Sequence, residues 1–546
     1  MHKNFYMNNL YVFAIGGSGE RVMRSLIMLL AAGVKINANS VTPVFVDNDK
    51  NSAALTRCKN LISFYNKGLS GGTAGIGTLC QLIPAEQRGS FFQTKINDPI
   101  LLDIAGNTIG NLEQIIGNLK KEDELQRLVL EERNLLFSQD DLEMPLTVGF
   151  VGNPNIGSVV LNTLSFRDPQ FATILQNATT GDGVVVVGSL FGGTGAAGFP
   201  LIVNSFMSGA KNRPTVGGVA ILPYFDFESE DAHDAKERVI NTEKYDVNSD
   251  SFSTKTRAAL MYYDDYMSRQ MDYLYYVGDD NRAHYPHYVG GAKQDNPVHI
   301  VELLGAMSLI DFAKGTNQST IVYKEPVWGL NDDQAGNPGV ANVSSVIMPE
   351  VKRAMIKFQL LREYFTNTTD GFLHHDIANA KAYTTDLGIT EEIRYAVAGR
   401  PKPAPINDVK KLNDTVTVET QNYPAAWGLN AFFKEWDAWF GDLNNASARR
   451  TFQFFPYNAN DIDYLNITRR FFNDGGNGIA KVETKSKGIF KKEYYTVAVE
   501  PKIADYIFGT HSKNTVKKPK AHLQLPYLLR LTSMAFDEVL KDKCDI

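Results

Sequence analysis

Short, dense apolar runs alternate with longer stretches of helical spacing over about the first 280 residues. "LYVFAI" predicts a strand to about Ile15, then a glycine turn, then a helix from about Glu20 that is apolar nearly all round. "TPVFVDND" is a second strand, ending in acids. "LTVGFVGNPNIGSVVLNTL" and "GVVVVGSLFGGTGAAGFP" each repeat strand, glycine loop and helix, the latter helix entered at about Ala196. "TVGGVAILPYFDFE" and "MDYLYYVGDD" add two strands, the tyrosines of the last suggesting a sheet margin. The four valines from Val184 to Val187 read as a strand buried on both faces. This alternation predicts an α/β fold with a doubly wound parallel sheet, whose ligands lie at the carboxyl ends of the strands.

Elsewhere the pattern changes. Residues from about 60 to 145 look like an insertion, with glycine-rich "GLSGGTAGIG" and a charged helical stretch, "NLEQIIGNLKKEDELQRLVLEERNLL". "DNPVHIVELLGAMSLIDFA" has Asp295 and Asn296 as caps, Pro297 at the first helical position, and no polar face. A helix apolar all round must be buried on all sides, so this one is expected to lie between two domains. Beyond it, "PEVKRAMIKFQLLREYF" is amphipathic, with Val351, Met355, Phe358 and Phe365 on one side. Residues from about 366 to 450 read as irregular, "KGIFKKEYYTVAVE" as strand, and "LPYLLRLTSMAFDEVLKDK" as a closing helix with Leu528, Leu531, Ala535 and Val539 on one face. The expected organisation is an α/β domain over 1–295, a central helix over 296–317 and a C-terminal α+β domain over 318–546.

Composition narrows the function classes. Hydrophobic residues make up 43% and charged residues 21%, a globular balance. A net charge of -6 argues against general nucleic-acid binding, which needs a basic surface. The three cysteines, Cys58, Cys80 and Cys544, lack metal or disulfide spacing. No run approaches the ~20 apolar residues of a membrane span, so a cytoplasmic protein is expected.

The candidate chemistry lies in three glycine loops, "GGSG", "VGNPNIG" and "FGGTGAAG". Each follows a strand of one predicted sheet. Without Cβ atoms the backbone turns tightly and presents successive N–H groups, and a helix N-terminus adds its partial positive charge, so phosphate is the natural guest. A tight turn with nothing bound is the competing reading. The GxGxxG spacing from Gly17 puts Val22 at the third glycine, and no GxxxxGK[ST] run occurs, so dinucleotide and P-loop readings both fail.

Four ordered motifs carry a resemblance to the tubulin/FtsZ superfamily. "SLFGGTGAAGFP" is similar to the signature GGGTG[ST]G, and "GNPNIG" to the loop GNPEIG. "VDNDKNSAAL" is similar to NTDAQAL, and "LPYFDFES" to KPFxFEG. The resemblance covers about residues 8–315, interrupted by the insertion, and implies binding of GTP or GDP with Mg2+ held through the phosphates. It further implies head-to-tail self-association into a filament, and a prokaryotic cytoskeletal or defence role. Partner proteins would meet the C-terminal domain. Carried over by position, Gly16, Gly17, Ser18 and Gly19 would hold phosphates together with Gly192, Gly193, Thr194 and Gly195. Asn48 and Asp49 would lie beside them, Gly152, Asn153 and Pro154 over the γ-phosphate, Glu228 at the ribose, and Asn296 or His299 at the base.

Departures from the family pattern are equally definite. Phe191 stands where a third glycine is usual, and Ala232 where an arginine flanks the sugar. The acid-bearing loop that completes a neighbour's site is missing. Asp311 reads as a helix-end residue, Glu325 is the weak remaining candidate for a catalytic acid, and slow hydrolysis follows. The alternative is a nucleotide-binding scaffold that does not polymerise. His233 with Asp234, and "HSKNTVKKPK", read mainly as solvated surface.

Overall fold

The computed structural model describes residues 6–69, 73–84, 89–104, 110–117, 124–146, 149–150, 152–162, 168–207, 213–227, 249–279, 282–286, 291–315, 321–326, 340–341, 347–366, 424–445, 479–486, 492–500 and 520–544. Glu228, Ala232, His233, Asp234 and the segment 511–519 lie outside them.

The chain begins with β1 (Met7–Ile15), α1 (Gly16–Ala32), β2 (Ala38–Val46) and α2 (Ala53–Asn66). Through the 60–145 region run α3 (Ile76–Gln81), β3 (Lys95–Ile96), β4 (Ile100–Leu101), α4 (Leu112–Ile116), α5 (Glu124–Leu136) and α6 (Gln139–Glu143). Then come α7 (Pro154–Leu161), α8 (Pro169–Asn177), β5 (Gly183–Ser189), α9 (Gly193–Met207), β6 (Thr215–Ile221), β7 (Phe225–Phe227), α10 (Phe252–Tyr262), β8 (Tyr273–Val277) and β9 (Ala283–Tyr285). The remainder comprises α11 (Ile300–Lys314), β10 (Ile321–Pro326), β11 (Val340–Ala341), α12 (Ile347–Thr366), α13 (Pro424–Asn445), a hairpin of β12 (Ile479–Ser486) and β13 (Lys492–Glu500), and α14 (Gln524–Cys544).

The main sheet runs β11-β10-β8-β6-β5-β1-β2-β3, with β4 also on β2, and every pairing but β10–β11 is parallel. It is a doubly wound α/β sheet. Alternate residues of the central strands feed two cores, as the two-residue period of a strand requires. Val12, Ala14, Val185 and Val187 face one core with α1, α2, α11 and the later helices. Phe13, Ile15, Val184 and Val186 face the other with α7, α8 and α9. From β1 the chain builds outward to β2, then returns to place β5 on the opposite side of β1. The ends of β1 and β5 therefore flank a topological switch point, the place where such sheets open a crevice.

The expected all-round burial of the central helix is borne out, since every α11 residue from Ile300 to Ala313 is buried. Asp311 lies inside it, and Gly315 ends it in the left-handed conformation. Its start differs from expectation. His299 is the N-cap, not Asp295 or Asn296, because Arg21 on α1 draws the carbonyl oxygens of Asn296 (3.0 Å) and Pro297 (2.6 Å) away from helical bonding.

Three other expectations are corrected. Helices α1 and α9 begin at Gly16 and Gly193, not near Glu20 and Ala196, because the glycines are themselves the first turns. A Cβ on Gly19 would sit 2.7 Å from the Val187 carbonyl oxygen, and one on Gly195 2.6 Å from that of Ser189, so only glycine lets these turns lie on the strands. Strand β8 is interior, paired with β6 and β10, and its Tyr275 and Tyr276 are buried core residues, not margin residues. Within the stretch read as irregular, α13 is a 22-residue helix. It buries Leu429, Phe432, Phe433, Trp436, Trp439 and Leu443. Helices α12, α13 and α14 share one core with α1 and α2.

Candidate functional site

The glycine loops predicted from sequence meet at the switch point. Gly16 follows β1 at φ +65°, a conformation that disfavours side chains. A Cβ there would lie 3.3 Å from Thr194 Cβ, 3.6 Å from the Gly195 nitrogen and 3.9 Å from Asp47 Oδ2. Gly149, leading into the VGNPNIG loop, would place one 3.7 Å from Asp47 Oδ1 and 3.8 Å from Thr194 Oγ1. Gly193 would place one 2.9 Å from the Asn153 nitrogen. The starts of α1, α7 and α9 therefore lie within a few ångströms of each other. The three helix dipoles combine with the uncapped first N–H groups of α1 into a local positive field, whereas at α7 the N–H groups of Asn155 and Ile156 are already taken by Asn153 Oδ1. Gly17 stands apart, since a Cβ there meets nothing within 4 Å. It faces open space.

The Asn153 side chain is spent on structure. Its Oδ1 accepts from the Asn155 nitrogen (3.2 Å), capping α7, while Pro154 takes the first helical position, where no N–H is required. Asn153 Nδ2 donates to Asp141 Oδ1 (2.9 Å), which ties this loop to α6. From the other side Lys255 Nζ, on α10, donates to the Gly152 carbonyl (2.7 Å).

The acids at the end of β2 divide their work. Asp49 accepts from the nitrogens of Asn51 (3.2 Å) and Gly291 (2.5 Å), so its carboxylate builds the loop. Asp47, which sequence reasoning passed over, is the acid nearest the glycines. Burial pushes its carboxyl up to about 7, with the charge of Asp49 adding to the rise and the N–H groups of Asp49 and Asn48 opposing it. Glu20 is fully enclosed and is raised well above the ordinary carboxyl range, by burial first and then by Asp47; it accepts from Ser52 Oγ (2.7 Å). The buried Asn48 Nδ2 has no hydrogen-bond partner among the described residues.

Asn296 and His299 lie at the head of α11. Asn296 Oδ1 accepts from Gln294 Nε2 (2.5 Å). His299 Nδ1 accepts from the Val301 nitrogen (3.3 Å), which leaves the neutral ring's proton on Nε2. Burial, reinforced by the Arg21 cation, lowers its pKa to about 3. Its ring is 5.0 Å from that of Tyr224, whose hydroxyl donates to Glu302 Oε1 (3.2 Å) and also meets Ser18. Ser18 thus connects the first glycine turn to the head of α11. Glu325 lies in β10, separated from β5 by β8 and β6. Phe191 is no part of the cradle: it is buried, with its ring 4.7 Å from that of Phe252 and 5.5 Å from that of Phe225.

Among the described residues no three His, Cys, Asp or Glu side chains form a metal cluster, and no helix is long and apolar enough to cross a membrane. No protein-family model and no curated protein matches the chain. Among solved structures, it is similar to CetZ2 from Haloferax volcanii in a GTPgS bound protofilament, at 13% identity and a TM-score of 0.26. The match covers 57% of this chain and 60% of that one, and so loose a superposition carries no weight on function.

Proposed function

We propose that the chain is a nucleotide-binding protein of the tubulin/FtsZ kind, which takes GTP or GDP at the β1/β5 switch point. The observation that supports this most is the meeting of two glycine-built helix starts, those of α1 and α9, with the loop before α7 at one place. One such start suits a single phosphate, and two suit a phosphate chain. Gly16–Gly19 and Gly192–Gly195 cradle it, Gly152–Pro154 cover its terminal phosphate, and the head of α11 at Asn296 and His299 faces the base. The orphaned Asn48 amide suits an acceptor oxygen. The neighbouring acids do not forbid an anion, because burial raises the carboxyls of both Glu20 and Asp47, the latter to about 7. Mg2+ held through the phosphates would offset their charge, with Asp47 the carboxyl best placed to face it.

The chain hydrolyses its nucleotide slowly in this reading, because the nearest acid after α11 is Glu325, on a distant strand. Occupancy at the carboxyl edge of the sheet is accessible to a second subunit, and a head-to-tail contact that does not close gives filaments. Calorimetry with Mg2+ and GTP, GDP or ATP tests the binding; heat from none of them would sink the proposal. Sedimentation with a slowly hydrolysed GTP analogue tests the assembly. Material that binds nucleotide yet stays monomeric at tens of micromolar would be a scaffold instead.

A further inference from the structure

Several partly buried cations among the described residues are matched by carboxylates. Arg213 meets Asp272 (2.7 Å), Arg282 meets Asp226 (3.0 Å), Lys314 meets Glu350, and Lys357 meets Asp537 (2.7 Å). Lys255 is not so matched. It projects from the first turn of α10 toward the phosphate-covering loop and is half-buried. Burial alone lowers its pKa, and no carboxylate among the described residues lies within ion-pair distance. Its one hydrogen bond goes to the neutral carbonyl of Gly152 (2.7 Å). Desolvating an ammonium for a single neutral acceptor is a poor exchange, unless the site is completed by an anion that the protein does not itself supply.

We infer that Lys255 is the cation that reads the terminal phosphate of a bound nucleoside triphosphate. An ammonium has three donors, so Nζ can keep the Gly152 carbonyl and still bond a phosphate oxygen, bridging ligand and loop. Asn153, the next residue, abuts Gly193 in the cradle, which puts the ammonium on the flank where the phosphate chain would end. The same loop is held on its far side by the Asn153–Asp141 bond. A triphosphate would therefore tighten a segment gripped between α10 and α6, whereas a diphosphate would leave Lys255 on the carbonyl alone. The inference rests on the nucleotide reading above. It adds which residue distinguishes the two nucleotides, and that this residue lies about twenty positions beyond Ala232, where the family's arginine is missing.

The test is calorimetric titration of the full chain, wild type, Lys255→Gln and Lys255→Arg, with Mg-GTPγS and with Mg-GDP, alongside thermal melts. A charge-assisted bond of this kind corresponds to roughly 10- to 100-fold in affinity. Lys255→Gln is expected to lose that much for the triphosphate and less than about threefold for the diphosphate, while Lys255→Arg, which keeps the charge, retains most of the triphosphate affinity. Equal losses for both nucleotides, or none, in a wild-type background that binds both, would overturn the inference and leave the nucleotide reading standing. If the wild type binds neither, both fall. Should Lys255→Gln fail to fold, Lys255→Arg decides, because a loss of triphosphate preference with the charge retained would also count against it.

Discussion

Arg21 Nε donates to Glu302 Oε1 at 2.6 Å, joining the second turn of α1 to the first turn of α11 through two largely buried side chains. The same guanidinium holds the Asn296 and Pro297 carbonyls, so one residue sets where α11 begins and how its head meets the glycine turn. Removing one member of a buried pair leaves the other charge uncompensated, at about 3–5 kcal/mol. Arg21→Met or Glu302→Leu should each lose stability of that order in urea unfolding, and the double variant should lose less than the sum. Additive losses would show that the two residues are not coupled.

Gly17 and Gly193 separate ligand space from packing space. With nothing near its Cβ position, Gly17→Ala should melt within about 1 kcal/mol of wild type yet bind nucleotide at least about tenfold more weakly. Gly193→Val must displace the Asn153 nitrogen and Phe150, and should lose both binding and about 1–3 kcal/mol of stability. Undiminished nucleotide affinity in a folded Gly17→Ala would place the phosphates elsewhere.

Asp47 predicts a pH signature in the ligand-free protein. Its carboxyl in the folded state, at about 7, stands above the unfolded value of about 3.9, so the folded state holds the proton more tightly between those limits. The stability this contributes is complete below pH 4 and is lost as pH rises through 7. Asp47→Asn cannot lose it. Melting curves of the two proteins should diverge from pH 4 to 7 in favour of the variant, with no further divergence above about pH 8. A constant difference over that range would mean that Asp47 is not raised.

Phe191 looks from sequence like a damaged phosphate loop, but its ring lies among Phe252, Phe225 and Tyr224. Phe191→Gly puts a glycine there, as in the tubulin/FtsZ signature that this loop resembles, and should nevertheless cost about 3–5 kcal/mol, as large-to-small core changes do. Tighter nucleotide binding with unchanged stability would contradict this.

The parts legible in the sequence are those governed by local pattern. The valines from Val184 to Val187 and the unbroken apolarity of α11 need no partner to be interpreted, because burial on both faces or on all sides leaves its own composition. Gly16, Gly193 and Gly195 were also visible, although not that they form helical first turns, since that depends on the strands they touch. Helix α13 is hard to see in the sequence because Trp, Phe and Gly are poor helix formers, and its aromatic stripe acquires meaning only against Phe92 and Phe358. Asp47 and Asp49 are two positions apart and chemically alike; only the fold separates a loop builder from an acid facing the cradle. The Lys255–Gly152 bond spans 103 positions and leaves no local trace.

Trp439 Nε1 donates to Ser25 Oγ at 3.0 Å, and Ser25 lies on α1, the helix whose first turn is the Gly16 loop. The indole of Trp436 lies 5.1 Å away and is likewise buried. Helix α1 links these rings to the cradle as a single rod of regular backbone. The chain has four tryptophans, and this pair is wired to the element that any ligand at the glycines must touch. Its native emission is thus a built-in optical gauge: a shift or tilt of α1 alters the indole's hydrogen bond and the wavelength at which it glows, with no dye attached.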